Sequence, residues 1–96
     1  MLPSEKPLAN PQVVLREEFD DWAVLFNPDN ADAVGINPVG VVIWKLLDGE
    51  HTLDEIVAEI HIRFSEVSER APDEVSTFVG RLAEQGFVGY PLKQGR

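Results

Sequence analysis

His51, Glu55 and Glu59 follow one another at steps of four residues, the spacing at which a helix stacks side chains in one column and could gather a divalent cation. The helix, however, has to begin at Thr52. T-L-D-E at positions 52–55 is a capping box, so His51 falls before the first turn and outside the column. What remains is a solvated acidic face behind a loop histidine. His61 has no cysteine partner and no E-x-x-H spacing. Ser65, Ser68 and Ser76 lack a G-x-S-x-G elbow or an adjacent histidine. "AVGINPVG", residues 33–40, has two glycines but neither the further glycine nor the basic residue of a phosphate cradle. The carboxylate pairs Glu17-Glu18 and Asp20-Asp21 alternate faces or sit in a turn. With no cysteine there is no thiolate nucleophile, disulfide or zinc–thiolate site. These residues define no enzyme, and no metal or cofactor is expected.

Charge narrows the partners. Eight Lys and Arg against seventeen Asp and Glu leave a net charge of −9 over 96 residues. Nucleic-acid and anionic-membrane binding both draw on cations, so neither is expected, whereas a protein or peptide partner with basic patches fits. "MLPSEKPLANP" has no basic, then apolar, signal pattern, and the longest charge-free run, 33–44, is too short to span a bilayer and contains Pro38. The expected setting is cytoplasmic.

The elements that must position a site read as follows. Residues 1–12, with Pro3, Pro7 and Pro11, read as a flexible arm, 13–90 as one domain and 91–96 as a tail. Period-two alternation from Val13 to Phe19, a turn at Asp20-Asp21 and "WAVLF" from Trp22 predict a hairpin. Its register sets Phe19 opposite Trp22 and Leu15 opposite Phe26, so that Trp22, Val24 and Phe26 share an apolar face that only Glu17 interrupts. "NPDNAD" closes a second hairpin onto a short strand, Ala33 to Ile36. Asn37-Pro38 starts a buried helix running to about Asp48, where Gly49 turns the chain. Gly40 inside it costs roughly 1 kcal/mol against alanine, a cost commonly offset by close packing. The second helix runs from Leu53 to about Phe64. The third starts at an Asp73 cap after Pro72 and ends at Gly86, with Phe87 folding back.

With no reactive constellation, attention moves to sheet edges. The first strand is guarded by Arg16, Glu17 and Glu18, but Ala33, Val34, Gly35 and Ile36 carry no charge and no proline. Such an edge suits strand addition by a peptide, unless the C-terminal segment covers it. The adjoining wall is expected on the third helix, from Glu74 through Val75, Phe78, Val79 and Leu82, with Arg81 as a rim group for an acidic residue. An apolar stripe at helical spacing is core more often than site, and both can hold in part, with its inner half in the core and its rim lining a groove.

The order of these elements resembles the PqqD family, the small peptide chaperones also called RiPP recognition elements. The resemblance is carried by Asn37-Pro38-x-Gly40, "IWKLLDGEHTLDEI" (43–56), Phe64, "DEVSTFVGRL" (73–82) and "EQGFV" (84–88). It implies an α+β, winged-helix-like fold, a three-stranded antiparallel sheet followed by three helices. It also implies that the leader of a ribosomally made precursor peptide adds as a strand at Ala33–Ile36, packs on the helix from Glu74 to Gln85 and is presented to a modifying enzyme, often a radical SAM maturase. Pyrroloquinoline quinone synthesis is the namesake pathway. Two alternatives remain: a module that forms a homodimer through the open edge, and a DNA-binding winged helix, against which the single cation Arg81 of the third helix counts.

Overall fold

The computed structural model describes residues 5–90. In chain order the elements are β1 (Leu8–Ala9), β2 (Val14–Glu17), β3 (Ala23–Asn27), β4 (Asp32–Ile36), α1 (Pro38–Lys45), α2 (Leu53–Arg63), α3 (Ala71–Glu84) and β5 (Val88–Gly89). The expected α+β order of a three-stranded antiparallel sheet and then three helices is what the chain adopts, with β3 in the middle and β2 and β4 at the edges.

The first hairpin departs from the expected register by one residue. Val14 faces Phe26, Leu15 faces Leu25 and Glu17 faces Ala23. The cause lies in the turn. The Glu18 N–H donates to the Trp22 carbonyl at 2.7 Å, which leaves three residues, not two, in the loop. Asp20 and Asp21 both take left-handed backbone angles, φ 60° and 64°, to close it. Because side chains alternate along a strand, a one-residue slip exchanges the faces. Ala23, Leu25 and Asn27 are therefore buried, while Trp22 and Phe26 stand on the outer side. Glu17 shares the inner side but sits at its margin, where its carboxylate meets Lys45 of α1 at 3.0 Å.

Local chemistry sets the helices. Asn37 caps α1, its Oδ1 accepting the Gly40 N–H at 2.8 Å, and Pro38 occupies the first turn. The helix stops at Lys45, earlier than expected, and Gly49 still supplies the left-handed turn at φ 78°. Thr52 and Glu55 form the expected capping box on α2. The third helix starts earlier than its sequence signal. Arg70 is its N-cap and Pro72 lies in its first turn, so Asp73 is a first-turn residue and not the cap. At the other end, Gly86 takes φ 82° and the N–H groups of Gly86 and Phe87 donate to the carbonyls of Ala83 and Leu82. This is a Schellman closure, and it drives Phe87 fully into the core.

Residues 7–10, assigned to an arm from sequence, are held by the domain. Leu8 and Ala9 pair with Gly89 and Val88, and the Ala9 N–H donates to the Leu47 carbonyl at 2.7 Å. Asn10 donates through its backbone to Phe87 and through its side chain to the Gly86 carbonyl. Pro7 is fully buried. This β1–β5 ribbon ties the C-terminal ends of α1 and α3 together. The 91–96 tail lies outside the described residues. One core unites the inner sheet face with all three helices, through Leu25, Ile36, Ile43, Ile56, Val79 and Phe87 among others.

Asn37→Ala removes a cap that meets its acceptor role at 2.8 Å and is expected to cost about 1 kcal/mol, lowering Tm by several degrees. Asp73→Ala removes only a first-turn charge and is expected to cost less than half of that. Thermal melts of the two variants side by side check the reassigned cap.

Candidate functional site

The backbone of β4 determines what its open edge offers. Hydrogen-bonded and non-hydrogen-bonded pairs alternate along an antiparallel ladder. Starting from the Glu18–Trp22 bond, alternation directs the backbone groups of Val24 and Phe26 toward β2 and those of Ala23, Leu25 and Asn27 toward β4. The Ala31 N–H bond to the Asn27 carbonyl, 2.8 Å, agrees with this. Asp32, Val34 and Ile36 then spend their backbone groups on β3, and Ala33 and Gly35 turn theirs outward. Among the described residues nothing pairs with that side, because β5 pairs with β1. A side chain placed at Gly35 would point to the outer sheet face and meet no atom within 4 Å, so that face is open beside the unpaired edge.

Beside this edge runs a groove of about 560 Å³. Gly35, Ile36 and Asn37 form one wall, Ala71, Glu74, Val75 and Phe78 of α3 the other, and Phe64, Val67 and Ser68 of the α2–α3 connection close the end. Val39, Gly40 and Ile43 of α1 form the base, and Trp22 stands at the mouth. Gly40 lets the walls come this close: a Cβ there would lie 3.1 Å from the Ile36 Cβ and 3.3 Å from Phe78 Cζ. The groove is apolar with carboxylates at its rim, since Glu66 and Glu74 are its charged lining residues. It can take apolar side chains from an extended segment whose main chain bonds to Ala33 and Gly35. On the far side of Phe78 and Glu74 lies a shallower depression with Arg70, Asp73, Thr77 and Arg81.

The ten residues proposed from sequence divide accordingly. Gly35, Ile36, Glu74, Val75 and Phe78 line the groove, and Ala33 contributes to the edge. Val34 faces inward opposite Leu25 and packs on the core. Val79 and Leu82 are buried and support the α3 wall from behind. Arg81 lies in the neighbouring depression and does not line the groove. Sequence reasoning passed over Trp22, Gly40, Phe64 and Val67 as site residues. The asparagine–proline start, with glycine three residues on, was the available signal for Gly40, whereas Trp22 needed the true hairpin register.

The histidine first suspected of chemistry is bound elsewhere. His51 Nδ1 lies 3.0 Å from Asp48 Oδ1 in the α1–α2 connection. That hydrogen bond raises the His51 pKa. Slight burial pushes the Asp48 carboxyl up, but the bond from His51 and the Glu50 N–H outweigh it and hold the group below its usual range. Among the described residues no three His, Cys, Asp or Glu side chains gather into a metal site. No helix of the described residues is long and apolar enough to cross a membrane.

An antiparallel sheet with one free edge, followed by three helices that wall a groove beside it, defines a small α+β domain of a recognisable class. The family model described as PqqD, coenzyme PQQ synthesis protein D, matches residues 23–88, and the chain belongs to that family. No curated protein matches it in sequence. Among solved structures it is similar to TbiB1, determined in complex with the TbiA(beta) leader peptide, with a TM-score of 0.72 and 24% identity over 90% of this chain and 99% of that one. It is also similar to part of the heterocyclase TruD, with a TM-score of 0.63 and 14% identity over 96% of this chain but 12% of that one. A heterocyclase in complex with substrate and cofactor gives a TM-score of 0.64 and 19% identity, over 97% and 11% of the two chains. At these identities the likeness is one of fold.

The face assignment predicts opposite outcomes for neighbouring substitutions. Val34→Lys places a charge against the core and is expected to lower stability by about 1–3 kcal/mol in urea unfolding. Ala33→Lys, on the outer face, is expected to stay within about 0.5 kcal/mol of the parent.

Proposed function

We propose that this chain is a non-catalytic binding module. It captures the leader segment of a ribosomally made precursor peptide as a fourth strand on β4 and presents it to a modifying enzyme. The observation that carries the reading is the outward-turned backbone of Ala33 and Gly35 on a charge-free edge that borders an apolar groove. Main-chain bonds to that edge bind any extended segment, and the groove supplies the choice among side chains. Its volume lies within the range of sites that bury most of a bound ligand.

Peptide contacts are assigned to Ala33, Gly35 and Ile36 on the sheet side and to Glu74, Val75 and Phe78 on α3. Val34, Val79 and Leu82 hold those groups in place from within, and Arg81 meets whatever part of the leader runs on past Phe78. Membership of the PqqD family supports a role as a binding module, and the fold shared with TbiB1 supports a leader as its ligand. The enzyme served is proposed to be a radical SAM maturase or another peptide-modifying enzyme, in the cytoplasm where ribosomal peptides are made.

The test is calorimetry with the leader of a precursor peptide encoded beside this chain. Gly35→Pro deletes an outward N–H without touching a bond to β3. Leader affinity is expected to fall at least about tenfold while the melting curve keeps its cooperativity. Unchanged affinity in the folded variant would contradict strand addition.

A further inference from the structure

Six large apolar side chains stand exposed among the described residues, and four of them lie on the β2–β3 hairpin: Val14, Phe19, Trp22 and Phe26. Phe19, at the tip, is 80% exposed. The register gathers the others on the outer sheet face. Val14, Phe26 and Ala33 form one cross-strand row, and Arg16, Val24 and Gly35 form the next. Trp22 follows on the same side by alternation, at the mouth of the groove. No described element covers this face, whose opposite side carries the core. A contiguous apolar patch with a polar rim marks an interaction surface.

The rim says what kind. From Val13 to Ile36 the chain has six carboxylates, Glu17, Glu18, Asp20, Asp21, Asp29 and Asp32, and a single cation, Arg16. Arg16 is already paired with Glu18 at 3.3 Å. Glu17 lies on the inner side and is taken up by Lys45, so Asp20, Asp21, Asp29 and Asp32 stand about the two hairpin turns with no cation of the hairpin left to balance them. A second copy of the chain would set like charges against each other across a twofold axis, and an anionic membrane or nucleic acid would be repelled in the same way. The complementary occupant is a protein surface with an apolar centre and a Lys- and Arg-rich rim.

We infer that the outer face of the β2–β3 hairpin is the docking surface for the peptide-modifying enzyme, distinct from the groove that takes the peptide. This rests on the peptide-presenting reading above, and Trp22 joins the two surfaces. An enzyme seated on the hairpin lies alongside the strand added to β4, where it can receive the segment that emerges from the groove.

Phe19→Ser and the double variant Phe19→Ser/Phe26→Thr leave the groove lining untouched. The enzyme encoded beside the chain is titrated by calorimetry against the parent and both variants, with and without the leader peptide, at low and moderate salt. Expected are binding by the parent that weakens with salt, at least a tenfold loss in the double variant and a smaller loss for Phe19→Ser. Leader affinity is expected to stay unchanged in both. Equal enzyme affinity across parent and folded variants overturns the inference. So does absence of enzyme binding to the leader-loaded parent, or a parent dimer in sedimentation that the variants dissociate. A parent that binds enzyme but no leader would remove the peptide-presenting reading and leave the hairpin contact standing.

Discussion

Where β4 runs into α1, Gly40 packs closely against Ile36 and the Phe78 ring, and even a methyl group at position 40 would press on both, at 3.1 Å and 3.3 Å. That close approach fixes the geometry of everything around it. The strand ends at Ile36 and the helix starts two residues later under the Asn37 cap, so the edge and the helix are joined with almost no slack. Phe78 is thereby held over the start of α1, and α3 lies at the distance from β4 that leaves a groove and not a sealed contact. The helix-propensity cost of glycine, roughly 1 kcal/mol, is accepted in exchange for this approach.

The openness of β4 follows from how the ends of the chain are used. Edge strands are usually guarded, and a short C-terminal strand could have completed the sheet. Here β5 is engaged by β1 instead, and the β1 segment is anchored by the N–H groups of Ala9 and Asn10, which donate to the carbonyls of Leu47 and Phe87. The ribbon closes the core at the C-terminal ends of α1 and α3, and among the described residues the far side of β4 is left unpaired. An absence of charge and proline from Ala33 to Ile36 would be a liability in an isolated domain. It suits the proposed addition of a peptide as the missing strand.

Much of this was legible in the sequence because it depends on local chemistry. The Asn37 cap, the Thr52–Glu55 box and the Gly86–Phe87 closure each need only a few neighbouring residues, and each stands where its pattern predicts. The unguarded edge was visible for the same reason. What escaped depended on contacts distant in sequence or on unusual backbone angles. Asp20 and Asp21 adopt left-handed angles without glycine, which lengthened the turn, shifted the register and moved Trp22 and Phe26 to the outer face. Strands of two residues, such as Leu8–Ala9, have no period to detect and exist through bonds to partners some forty to eighty positions away. Arg81 was read as a groove residue from its place on the helix, but its side of α3 looks onto the neighbouring depression.

The central claim is that a peptide completes the sheet at β4, and residue-resolved amide hydrogen exchange tests it most directly. In the free protein the amides of Val34 and Ile36 should be protected by β3 while those of Ala33 and Gly35 exchange freely. Saturation with the cognate leader should protect Ala33 and Gly35 and change Val34 and Ile36 little. Rapid exchange at Ala33 and Gly35 in the saturated complex would show that the leader binds without adding a strand, and the account would fail.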